Sequence, residues 1–85
     1  MKRNGSIQDP GDLALAILGR RTVAEGNLRT IREELRVTQA EIAAACGVAQ
    51  STEAGWESGR SAPSGRRAVR LGRVLTDLRE MSTDG

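Results

Sequence analysis

At 85 residues the chain makes one small domain, and a core this small buries little area. With Trp56 as the one aromatic residue and no Phe or Tyr, the core falls to Leu, Ile, Val and Ala, which suits close helix packing and argues against a β-sandwich. The formal charge is only +2, there is no histidine, and Cys46 is the single cysteine, so an internal disulfide is excluded and a zinc site would rest almost wholly on carboxylates.

No apolar run approaches the ~20 residues that span a bilayer. The stretch from Leu13 to Leu18 is too short, and Gln8-Asp9-Pro10-Gly11-Asp12 before it is unlike the basic start of a signal peptide. A cytoplasmic protein with no membrane partner is expected. Residues 1–9 are polar and expected to be loose. Asp9-Pro10-Gly11-Asp12 then starts a helix, with acids near its positive end, running from Leu13 to about Ala24. Gly19 weakens that helix by about 1 kcal/mol relative to alanine. Leu13, Leu15, Ile17 and Leu18 are too apolar to leave exposed, so this segment is expected to pack against the last helix or between subunits. Glu25-Gly26-Asn27 is a break.

Leu28 to Arg36 reads as the next helix, with Leu28, Ile31 and Leu35 on one face. Thr38 begins another. Thr38 and Glu41 form a capping box, Val37 before them suits a hydrophobic staple, and the helix runs to about Cys46. Gly47 suits the left-handed position after a helix end. A further helix covers about Gln50 to Glu57, with Ala49 where Ser or Thr would cap better by ~1 kcal/mol. Ser58-Gly59 ends it. Ser61-Ala62-Pro63-Ser64 opens a last helix with Ala68, Leu71, Leu75 and Leu78 on its apolar face and Val74 beside it. Between Arg60 and Arg73 lie five arginines and no acid, a local patch that favours an anionic partner although the whole chain is nearly neutral. Two short helices joined by a glycine turn are a common way to set a rigid helix end against DNA.

The elements Leu28…Ile31-Arg32…Leu35, Thr38-Gln39…Ile42-Ala43…Gly47-Val48…Gln50-Ser51-Thr52, Trp56-Glu57-Ser58-Gly59-Arg60, Pro63-Ser64 and Leu71…Leu75 together resemble the helix-turn-helix family of phage repressors, Cro proteins and xenobiotic-response-type regulators. Residues 28–75 carry the resemblance. Each element alone is weak; their order and spacing make the pattern. The resemblance implies a five-helix domain that binds a palindromic operator in double-stranded DNA as a homodimer. It implies that the helix from Gln50 enters the major groove, with Gln50, Ser51 and Ala54 at base edges. Thr38, Gln39, Arg29 and Arg60 are the implied phosphate contacts. Arg32 is implied to pair with Glu57, Ala43 to keep the two motif helices close, and Gly47 and Trp56 to hold the turn and the core. Cys46 is expected to be a buried filler.

Three glycines and one acid depart from the pattern. Glu53 stands where relatives carry Ile or Val, so a carboxylate is expected beside Trp56 and Ile42, reached by Arg32, Arg36 or another arginine, or else in a helix that has shifted. Gly55 stands where relatives place Arg, Lys or Gln toward DNA. Gly65 and Gly72 replace an apolar and a small core residue, which points to a domain of marginal stability.

The expected fold is all-α: a compact bundle of four to five helices containing a helix-turn-helix, with an additional N-terminal helical extension. Residues 1–26 form the extension, helical from 12; residues 27–80 form the helix-turn-helix domain; residues 81–85 are a frayed tail. The expected function is sequence-specific DNA binding in transcription regulation, as repressor, Cro-like switch or antitoxin. The alternative is a protein-interaction module or anti-repressor that uses the fold without reading DNA, favoured by Glu53, Gly55 and the acidic Glu57. No enzyme is expected, since Cys46 has no catalytic partner and no phosphate-cradling motif is present, and no cofactor or metal is implied.

Overall fold

A computed structural model describes residues 7–82, and all their regular structure is helical: α1 (Pro10–Ala24), α2 (Leu28–Glu34), α3 (Gln39–Cys46), α4 (Gln50–Ser58) and α5 (Gly65–Ser82). The Asp9 carboxylate accepts the Gly11 amide at 2.8 Å and caps α1, with Pro10 in its first turn. Residues 7–9 are therefore not loose. Asp9 is the cap, and Ile7 packs on a small cluster of Ala16, Ala68 and Val69. The expectation for residues 1–6 lies outside the described residues.

Helix α1 packs on α5 more extensively than any other pair of helices among the described residues. Its inner stripe is Ala16, Gly19, Thr22 and Val23. A Cβ on Gly19 would lie 2.6 Å from the Ala68 carbonyl oxygen, and one on Gly72 would collide with the Leu15 backbone. The two glycines thus let the backbones touch. What reads locally as helix weakening at Gly19 and as a missing core side chain at Gly72 is the device that joins the first helix to the last. Arg66 of α5 adds an ion pair to Asp12 at 3.0 Å. The inner face is filled by small residues, so the larger ones are not all covered: Leu13 is 44% exposed and Ile17 40%, against the expectation that both would be buried.

Helix α2 stops two residues before the expected Arg36. Arg36 takes a left-handed conformation (φ 59°), and the Val37 amide donates back to the Arg32 carbonyl at 2.9 Å. The chain needs this reversal because Thr38 must already be extended to cap α3. The cap of α3 is reciprocal: Thr38 Oγ1 accepts the Glu41 amide at 3.0 Å and the Thr38 amide donates to Glu41 Oε1 at 2.9 Å. Gly47 closes α3 in the left-handed region (φ 73°), where a Cβ costs about 1–2 kcal/mol. Ala49 precedes α4 and offers no side-chain cap.

The main core gathers Val23, Leu28, Ile42, Cys46, Trp56, Leu71 and Leu75 from all five helices, with Ile31, Val37, Val48, Val74 and Leu78 at its edge. Burial pushes the Cys46 thiol up to about 11, which suits a filler rather than a nucleophile. On α5 the buried stripe includes Gly72 and also takes Val69, which its expected apolar face omitted. Gly65 opens α5 at φ 55°. The helix continues through Met81 to Ser82, past the point where fraying was expected; residues 83–85 lie outside the described residues.

Candidate functional site

Helices α3 and α4 are joined by the three residues Gly47-Val48-Ala49, and the Val48 amide donates to the Ala43 carbonyl at 3.0 Å. Ala43 is buried. Arg70 of α5 reaches this turn: its guanidinium lies 3.8 Å from where a Cβ of residue 47 would be. The hinge between the two helices is therefore short and flanked by a cation.

Helix α4 divides cleanly between inside and outside. Glu53, Gly55 and Trp56 are buried; Gln50 and Ser51 are exposed at its N-terminal end, and Ala54 and Thr52 are half-buried. The exposed tip is braced from behind by a polar chain that crosses three helices. Arg32 of α2 donates through Nε to Glu57 Oε2 at 2.7 Å and through Nη2 to Glu57 Oε1 at 3.0 Å, a two-pronged pair. Its Nη1 donates to the Val37 carbonyl at 3.0 Å, so the same guanidinium holds the loop before α3. Gln39 Nε2 donates to Glu57 Oε1 at 3.2 Å, and Gln50 Nε2 donates to Gln39 Oε1 at 3.5 Å. The side chains of Arg32 and Glu57 are 11% and 5% exposed, so this pair is shielded from solvent screening.

Charge in this network is strongly polarised. Burial alone would raise the Glu57 carboxyl, but the hydrogen bonds from Arg32 and Gln39 and the Arg32 charge outweigh it and hold the group well below the usual carboxylate range. The Glu57 hydrogen bond raises Arg32 against the opposing effect of burial. Glu53 goes the other way. It is fully buried, neither carboxyl oxygen has a hydrogen-bond partner, and desolvation with the adjacent Glu57 charge pushes it up to about 8. No arginine hydrogen-bonds to it, contrary to the first expected solution, because Arg32 is spent on Glu57 and Val37. Glu53 lies buried on α4 together with Trp56. Burial and the adjacent Glu57 charge instead favour the protonated, neutral carboxyl at neutral pH.

In front of this network an open groove is lined by Arg29, Arg36, Thr38, Gln39 and Gln50, with Glu33 at its rim. Arg29 is shared with Glu33 through a 2.9 Å ion pair. Arg60 lies apart from this groove, past the end of α4, exposed and in no ion pair among the described residues. The structure thus brings Thr38, Gln39, Gln50 and Arg29 to one concavity and leaves Arg60 at the far end of the same helix.

Gly55 departs from its expected place. It does not face outward. Its carbonyl accepts the Arg60 amide at 2.9 Å and the Ser61 amide at 3.2 Å, and a Cβ there would sit 2.8 Å from Ser61 Oγ. The loop after α4 folds over it. Sequence reasoning also missed Arg36 on the groove, the Val37 carbonyl that anchors Arg32, and the contact between Gln39 and Gln50. The spacing of the two glutamines across a helix-turn-helix was the one signal available for the last of these.

Among the described residues no group of three or more His, Cys, Asp or Glu could hold a metal ion, and no helix is long and apolar enough to cross a membrane. Among protein families, residues 28–76 match the helix-turn-helix. No curated protein and no solved structure matches the chain.

Proposed function

The chain belongs to the helix-turn-helix family, whose match covers more than half of it, and from that premise we propose that it is a sequence-specific double-stranded-DNA-binding transcriptional regulator. Helix α4 enters the major groove. Gln50, Ser51 and Ala54 address base edges, a glutamine amide being able to bond adenine N6 and N7 together. Thr38 and Gln39 meet a phosphate at the start of α3, and Arg29 supplies a cation beside them. A homodimer on a palindromic operator sets two such helices ~34 Å apart, and occupancy of the site is the mechanism of a repressor, Cro-like or antitoxin-like protein.

One observation carries this reading. The exposed tip of α4 bears Gln50 and Ser51, and the chain Gln50–Gln39–Glu57–Arg32 fixes it while the opposite face of the helix is buried. Glu53, Gly55 and Glu57 had favoured an interaction module that does not read DNA; Glu53 is buried in the core, Glu57 is paired with Arg32, and Gly55 is covered by the loop after α4, so none puts a free acid on the exposed tip.

Selection of bound duplexes from a random library tests the proposal. The wild-type chain is expected to enrich a palindromic site, and Gln50→Ala with Ser51→Ala to lose that enrichment while keeping salt-dependent binding to any duplex. Failure to retain DNA even at low salt refutes it.

A further inference from the structure

Beyond Ser51, the outward side of α4 has almost nothing with which to read a base. Ala54 has no polar side-chain atom. Ser58 has a hydroxyl, but it donates to the Gly55 carbonyl of its own helix at 3.2 Å. Neither position therefore offers a free side-chain donor.

The loop that follows supplies one. Gly59 turns the chain at φ 81°, and the Arg60 and Ser61 amides both donate to the Gly55 carbonyl. This returns the chain onto the helix it has just left. The missing side chain at position 55 provides the room, since a Cβ there would sit 2.8 Å from Ser61 Oγ and 3.9 Å from Arg60 Nε. The Arg60 stem is thus held alongside the C-terminal half of α4. Arg60 is exposed as a residue and makes no ion pair among the described residues.

From this geometry we infer that Arg60 reads a base rather than clamping the backbone: folded over Gly55, it serves as the long side chain that the second half of α4 lacks, and it selects a guanine. The inference rests on the reading of α4 as a groove-entering helix. A guanidinium bonds guanine O6 and N7 with two parallel N–H groups, which is the commonest base-specific contact a cation makes in the major groove. Gln50 and Arg60 then divide the half-site, the first reading from the helix start and the second from beyond its end.

The experiment is duplex selection with the wild-type chain, Arg60→Ala and Arg60→Gln, with thermal unfolding as a check that these exposed substitutions leave the fold intact. The wild-type site is expected to contain a guanine in each half. Arg60→Ala is expected to lose about 10- to 100-fold preference at that position alone, with the bases read through Gln50 and Ser51 unchanged. Arg60→Gln is expected to move that position toward adenine, because an amide matches N6 and N7 of adenine. The same motif in all three proteins, with Arg60→Ala weakened equally on every sequence and its salt slope reduced by about one ion, overturns the inference and leaves Arg60 a backbone contact. A wild-type chain that enriches no sequence overturns the inference together with the reading beneath it.

Discussion

Glu53→Gln converts a buried acid into a near-isosteric amide, and its effect on stability should depend steeply on pH. In the folded chain the Glu53 carboxyl is fully buried without partners and is pushed up to about 8, against about 4.5 in the unfolded chain. The folded state therefore holds this proton more tightly. Its stabilising effect is complete below about pH 4.5, declines as pH rises through the interval to about 8, and is lost above it. At about 1.4 kcal/mol per pH unit, the interval corresponds to a loss on the order of 5 kcal/mol, comparable to the entire stability of many small domains. Glu57 has the opposite sense: its carboxyl is held low in the fold, so it adds stability above about pH 4.5 that is lost in stronger acid. The wild-type optimum should thus lie on the acid side of neutrality. The amide of Glu53→Gln does not titrate, so the variant should be flat from pH 5 to 9 and should exceed the wild type by several kcal/mol at the upper end. Urea unfolding followed through Trp56, the sole aromatic and a buried one, gives the readout. Parallel curves for the two proteins, or a wild type whose stability holds or rises between pH 5 and 8, would refute the reasoning.

Other substitutions follow from the same geometry. Arg32→Ala and Glu57→Ala each leave a shielded charge without its partner and should cost about 3–5 kcal/mol, the double variant costing well under their sum; a coupling energy near zero in the cycle would show that the pair does not act as a unit. Arg36→Gly relieves a left-handed non-glycine residue and should raise stability by about 0.5–1 kcal/mol in urea titration, whereas a loss would mean that the Arg36 side chain contributes more than its backbone strain takes away. Gly72→Ala should destabilise by about 1–3 kcal/mol because its Cβ meets the Leu15 backbone, although helix propensity alone forecasts a gain of about 1 kcal/mol; a higher melting temperature would dismiss the close crossing of α1 and α5.

What was legible in the sequence depended on how far apart the interacting residues stand. Thr38 and Glu41 are three residues apart and announce the start of α3 with both halves of the capping box. Gly47 announces its end, because a residue without Cβ is the common occupant of the left-handed position. The same conformation at Arg36 gave no such sign, and α2 was read two residues too long. Gly19 and Gly72 belong to helices at opposite ends of the chain, and each alone looks like a defect; only their meeting explains them. Gly55 is similar, since the loop that covers it arrives five residues later by a reversal that periodicity does not encode. At the candidate site the resemblance pointed to Arg32 and Glu57, which do meet, and it put an acid at position 53 inside the core. It could not say how that acid is accommodated, because the answer is a proton, and protonation follows from the surroundings rather than from the residue.

The hydrogen bond between Gln50 and Gln39 has a thermodynamic corollary. The contact biases two flexible amides that usually sample many rotamers, which lowers the ordering cost of any partner that uses the same orientation. On the proposed reading, a duplex would meet a Gln50 amide already turned toward its neighbour.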